Sequence, residues 1–142
     1  MSASEVHACV KRATACHLLH GRGLMNRPNL TAVEEFLVRG LRYVFPAERG
    51  ELARGVPTSY AAAPLSRLIV PGTEPIPVWP SGDGTERGIA FAPLYKTAAM
   101  AAMRDARFYE LLALADALRS GGPREREVAE QALRRQLWGS DE

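Results

Sequence analysis

The residues of this 142-residue chain whose types could do chemistry gather near its start. Ser2, Ser4, His7 and Lys11, with Arg12 beside them, place hydroxyls, an imidazole and two cations within one short stretch. Donors of this kind on one helix meet phosphate oxygens and base edges. Arg22 follows between two glycines and Arg27 stands just before Pro28, positions from which a guanidinium reaches phosphate or a minor groove. The pattern points to double-stranded DNA as a partner.

Other chemistries find little support. The sequence holds no Gly-rich phosphate loop with Lys, no H-E-x-x-H and no G-x-S-x-G. His7, His17 and His20 read as solvated or capping histidines rather than as bases. Cys9 and Cys16 are seven residues apart. On one continuous helix that separates their Cα atoms by about 10 Å and excludes a disulfide. They are expected to be small core residues. With His17 and His20 they lack the spacing of a structural zinc site. The expectation is no catalytic residue, no metal and no cofactor. An enzyme with an unusual site in the Gly/Pro-rich middle is a third, remoter reading.

The elements that must position these residues are legible. Ser2 and Glu5 form a capping box that opens a helix over residues 1–13. Ala3, Val6, Val10 and Ala13 recur at helical spacing as its apolar face, opposite Ser4, His7, Ala8 and Lys11. That is the layout of a recognition helix laid in the major groove. Gly21 and Gly23 allow the positive φ of a tight hairpin, so residues 17–28 read as a wing with Arg22 at its tip and Arg27 on its return strand. A plain helix–loop–helix connection with two solvated arginines is the other reading.

With these elements placed, residues 1–30 resemble the C-terminal half of a bacterial winged helix-turn-helix domain of the MarR-like kind. The stretch from Glu35 to Leu65 (EFLVRGLRYVFPAERGELARGVPTSYAAAPL), with Val78-Trp-Pro80, Ala92-Pro-Leu-Tyr-Lys96 and the helix from Tyr109 to Leu118, is similar to a group of bacterial helix-turn-helix proteins. The resemblance implies a transcriptional regulator, without naming ligand or operator. It also implies about two more helices ahead of Met1, so the expectation is a late start codon or a shortened copy.

Composition sets the remaining bounds. At 46% hydrophobic the chain can bury one core. It has no apolar run long enough for a membrane span and no secretory leader, so a cytoplasmic protein is expected. Net charge is +2, unevenly spread: residues 1–54 carry eight Lys/Arg against five Asp/Glu, and residues 55–142 carry ten against eleven. The basic bias falls in the half with the candidate recognition helix.

Thr31 and Glu34 look like a second capping box, opening a helix to Val44 that Pro46 stops. Val33, Phe36, Leu37, Leu41, Val44 and Phe45 are its apolar residues, with Phe36, Leu37 and Tyr43 read as core or dimer seam. Residues 47–77 show no sustained period and read as an ordered arm, its Arg49, Glu51 and Arg54 solvated and its Tyr60, Leu65, Leu68 and Ile69 buried. Residues 76–80 and 85–91 flank Ser81-Gly-Asp-Gly84 and read as a β-hairpin, with Pro77 and Pro80 confining the first strand to an edge. Trp79 there reads as a lid over the core sooner than as a binding aromatic. Three helices follow: Pro93–Met103, one capped by Asp105 and ending at Ser120, and one opened by Pro123.

The expected fold is mainly α with short β-hairpins (α+β), a truncated winged helix followed by a C-terminal helical region. Its parts are residues 1–46, a Gly/Pro-rich segment 47–92, and helices 93–142 that pair two chains into a homodimer. The function expected is DNA-binding regulation. The alternative is a protein-interaction module, partner or regulator of another protein, that has lost DNA binding.

Overall fold

The fold is that of a computed structural model that describes residues 1–21 and 25–139. Its first helix, α1 (Ala3–Ala15), starts as the sequence predicts. Ser2 Oγ accepts from the Glu5 amide at 3.2 Å, and Glu5 Oε2 accepts from the Ser2 amide at 2.6 Å. Its end is a Schellman turn: His17 takes φ +64°, its amide donates to Thr14 O, and the Leu18 amide donates to Ala13 O. His17 thus fills the left-handed position that glycine usually takes. The turn delivers the chain into strands β1 (Leu19–His20) and β2 (Arg27–Pro28), which pair antiparallel.

The next helix begins earlier than Thr31. Asn29 is its cap, with Oδ1 accepting from the Ala32 amide and Nδ2 donating to His17 O. The Thr31–Glu34 box does not form, because Asn29 already caps α2 (Leu30–Glu35). Glu34 faces the last helix instead, accepting from Arg134 Nε at 2.5 Å and Trp138 Nε1 at 2.7 Å. A π turn, Phe36–Gly40, precedes α3 (Leu41–Val44). It inserts one residue and rotates the succeeding helical turn by about 100°. This is why Leu41 is buried while Tyr43, expected in the core or a dimer seam, and Val44 and Phe45 of the apolar set are exposed.

Residues 47–77 are not an arm. They open with a nine-residue strand, β3 (Arg49–Pro57), that organises a small closed barrel with β4 (Pro77–Pro80) and β5 (Glu86–Phe91). Val56 pairs with Trp79 on one side of β3, and Leu52 pairs with Ile89 on the other. Arg49, Glu51 and Arg54 are exposed, as expected, and so is Leu68, which is not. The expected hairpin does not exist: β4 and β5 are parallel, both antiparallel to β3, with Pro77 opposite Ile89 and Val78 opposite Ala90. Nor is β4 an edge strand, since it pairs on both sides.

Three helices follow among the described residues: α4 (Ala98–Arg104), α5 (Ala106–Ser120) and α6 (Pro123–Trp138). The first is shorter than expected, because residues 93–97 form turns that carry Tyr95 out to α1. Asp105 caps α5 through the Phe108 amide, Gly121 ends it, and Pro123 stands at the start of α6. Helix α5 joins both cores. One holds Val56, Trp79, Phe91 and Ala102, with Tyr109 and Leu112 against them. The other holds Leu65, Leu114, Leu118, Ala129 and Leu133, with Leu37 and Ile69 against them. The barrel and the C-terminal helices therefore share a core across residues 92 and 93, and α6 covers α5 within one chain. Trp79 is buried in the first core, a structural position as expected.

The cysteines are free; Cys9 is half-buried and Cys16 is exposed rather than in a core. Cys16 lies at the helix end, on the rim of an open groove with Leu18, Ala32 and Phe36. Among the described residues no helix is long and apolar enough to cross a membrane. The fold is α+β.

Candidate nucleic-acid interface

Helix α1 stands away from the cores: none of its residues is buried. Two anchors set its rotation. At its start the Tyr95 hydroxyl donates to Glu5 Oε1 at 2.9 Å. At its end the Schellman turn and Asn29 bind it to the β1–β2 hairpin.

These anchors do not turn the expected apolar face inward. Ala3, Val6 and Val10 line an open groove of about 700 Å³, with His7, Lys11 and Asn26 along it. The side that meets the body carries Glu5 and Cys9. A carboxylate anchored to a tyrosine ninety residues away overrides an apolar stripe made of small side chains.

The candidate binding residues are not brought together on one surface. His7 and Lys11 lie one turn apart on α1, both exposed. Ser2 and Ser4 are engaged locally, Ser2 in the cap and Ser4 with its Oγ 3.2 Å from Ser2 Oγ. Arg12 is exposed but turned to the other flank, where its guanidinium donates to Cys9 Sγ at 3.2 Å. Arg27 is exposed on β2. Arg22 lies outside the described residues. Lys96, exposed and 6.0 Å from the centre of the Tyr95 ring, adds a cation beside the Glu5 anchor that sequence reasoning missed. No local spacing signals it, because Lys96 reaches α1 only through the turn at residues 93–97. The arrangement offers hydrogen-bond donors and positive charge. Among the described residues no group of three or more His, Cys, Asp or Glu side chains could hold a metal ion.

The anchor has a pH signature. The Glu5 carboxyl is held down at about 2 from 4.5, first by the Ser2 amide, then by the Tyr95 and Ser2 hydroxyls. A carboxyl lowered on folding contributes stability that is present above its unfolded value and is lost as pH falls through the folded one. The start of α1 is therefore expected to fray as pH drops from 4.5 toward 2. Exchange of the Glu5 and Val6 amides, followed by NMR, checks this. Tyr95→Phe should move the fraying to higher pH; an unchanged profile would remove Tyr95 from the anchor.

Compared with protein families, curated proteins and solved structures, the chain matches none.

Proposed function

We propose that this chain is a non-enzymatic, cytoplasmic DNA-binding transcriptional regulator of the winged helix-turn-helix type, acting as a homodimer. Helix α1 meets the major groove through Ser4, His7 and Lys11, Ser2 holds its cap, and Arg12, Arg27 and Arg22 take phosphates. The observation that carries this reading is an exposed helix with His7 and Lys11 on its surface, followed directly by a two-stranded hairpin bearing Arg27. The resemblance to MarR-like domains supports the same order of elements.

Fluorescence anisotropy on a random duplex at about 50 and 200 mM salt tests it, since counterion release makes phosphate contacts salt-dependent. Lys11→Ala and Arg27→Ala should each weaken binding at every sequence and lower the salt slope by about one. No duplex affinity at the lower salt, or an unchanged slope in both variants, overturns the reading.

The second reading is a protein-interaction module without DNA binding. The open apolar groove of Ala3, Val6 and Val10 favours it. Val6→Glu would then abolish association that Lys11→Ala leaves intact.

A further inference from the structure

We propose that a cleft between the barrel and the start of α6 binds a small organic ammonium ion, a primary amine on an apolar or aromatic body. This site lies apart from α1 and stands independently of the DNA-binding reading. The cleft measures about 620 Å³, within the range of small-ligand sites, roughly 300–1,000 Å³.

Ser59 is the first reason. It lines the cleft, is only 2% exposed, and its hydroxyl bonds to no described residue. Its neighbour Thr58 is spent, donating to Asp116 Oδ2 at 2.6 Å. Ser59 also holds φ +56°, the left-handed region, where β3 gives way to the turn Ser59–Ala61. Such backbone in a non-glycine residue is found at ligand clamps and other functional sites. Here it places a hydroxyl at the cleft wall.

Charge selects the ligand. Two carboxylates, Glu74 and Glu125, line the cleft with a single guanidinium, Arg49. Arg49 is partly engaged, donating to Ser120 O at 3.3 Å. The balance is negative, so a cation is favoured over an anion. Both carboxylates act on the Tyr60 ring, whose phenol is pushed up by burial first and then by Glu125 and Glu74. Gly121 leaves room for one of them, since a Cβ there would lie 3.0 Å from Glu125 Oε2. An ammonium carries three donors and no acceptor. Glu74, Glu125 and the Ser59 hydroxyl supply three acceptors, while Tyr60 offers an aromatic face to the cation and Ile89 an apolar wall.

Calorimetric titration of the full chain, without DNA, tests this with three matched probes: benzylammonium, benzyl alcohol and benzoate. Benzylammonium should bind saturably in the millimolar range or tighter and raise the melting temperature; the neutral and anionic probes should do neither. Glu125→Gln and Glu74→Gln should each weaken binding about tenfold, the loss of one charge-assisted bond. Ser59→Ala should weaken it less, and Arg49→Gln should hold or tighten it. Circular dichroism confirms that each variant is folded. No benzylammonium binding, equal binding of benzoate, or unchanged affinity in the Glu74→Gln/Glu125→Gln double variant overturns the proposal. Should Ser59→Ala fail to fold, the two glutamine variants decide the outcome.

Discussion

Asp116→Ala is expected to cost about 3–5 kcal/mol, the penalty of removing one partner from a buried ion pair. That is a large part of the roughly 5–15 kcal/mol that hold a domain of this size together. Asp116 is 1% exposed. Its Oδ2 accepts from Thr58 Oγ1 at 2.6 Å and from Trp79 Nε1 at 2.8 Å, and its Oδ1 accepts from Arg119 Nε at 2.9 Å. Arg119, also buried, spends its remaining nitrogens on Phe45 O at 3.2 Å and Ala92 O at 2.6 Å, and lies over the Phe91 ring. The carboxylate thus joins α5 to β4 and the end of β3, and Arg119 joins it to the residues before β3 and after β5. Burial pushes this carboxyl up, while Thr58, Arg119 and Trp79 pull it down. Removing it strands a guanidinium, an indole N–H and a hydroxyl at once. Asp116→Asn keeps the shape but turns an NH₂ toward one of those donors, and should cost nearly as much. Urea unfolding checks this: the midpoint should fall with the slope unchanged. Asp116→Leu/Arg119→Met should be less destabilised than the sum of its singles, because it leaves no unpaired cation. Strict additivity would show that the pair is not a unit.

Asp116 also shows where sequence reading stops. In the sequence it is one polar residue on a helix with Arg119 three positions on, a spacing shared with every solvated helical ion pair. Its burial follows from α5 lying between two cores, and one of those cores depends on a strand that the sequence conceals. Strand β3 buries Gly55 and Val56 but exposes Arg49, Gly50, Glu51, Leu52 and Arg54, so neither alternation nor an apolar run marks it. With β3 hidden, β4 and β5 read as partners of each other. Signals carried within one turn of chain were legible: the Ser2–Glu5 box, the Asp105 cap, the Gly121 stop and the Pro123 start. Asn29 caps α2 in place of the more conspicuous Thr31–Glu34 spacing, asparagine being the better cap.

The candidate interface divides along the same line. His7 and Lys11 are exposed on one helix, but so are Ala3 and Val6, and all four line one groove instead of opposite faces. The rotation of that helix is set by the Tyr95–Glu5 bond together with the turn into β1, and no local pattern connects residue 95 to residue 5. The apolar stripe was a true feature of the sequence, and its inward orientation was an assumption about a neighbour. The cleft at Ser59 was invisible for a related reason. Its walls come from β3, β5, the segment before β4 and the start of α6, and its key residue is set apart by a backbone angle rather than by its type.

Gly84→Ala is expected to open the barrel, at a cost of about 3 kcal/mol or more, the upper end of overpacking in a filled core. Parallel strands ordinarily need a connection of a dozen residues or more. Here residues 81–85 suffice, because they cross the single strand β3 at the point where Gly55 and Gly84 meet. A Cβ on Gly84 would lie 2.3 Å from the Gly55 carbonyl carbon and oxygen, and one on Gly55 would lie 2.0 Å from Trp79 O. These obstacles are backbone atoms of the barrel itself, so no rotamer change relieves them. The crossing is further fixed by the Ser81 amide on Arg54 O at 3.1 Å. Gly82 provides the control within the same turn, since a Cβ there meets nothing within 4 Å. Gly82→Ala should be neutral or slightly stabilising through the unfolded chain, by up to about 1 kcal/mol where its backbone suits alanine. The readout is Trp79, fully buried against Asp116, measured in a Trp138→Phe background so that the exposed indole does not contribute. Its emission should stay blue in Gly82→Ala and shift red in Gly84→Ala as the barrel opens. If both variants keep a buried Trp79 and the parental midpoint, the chain does not cross β3 at Gly55. Residues 77–91 would then form the hairpin that their sequence suggests. Neighbouring glycines with opposite outcomes would instead establish that close backbone approach, rather than turn preference, fixes this segment.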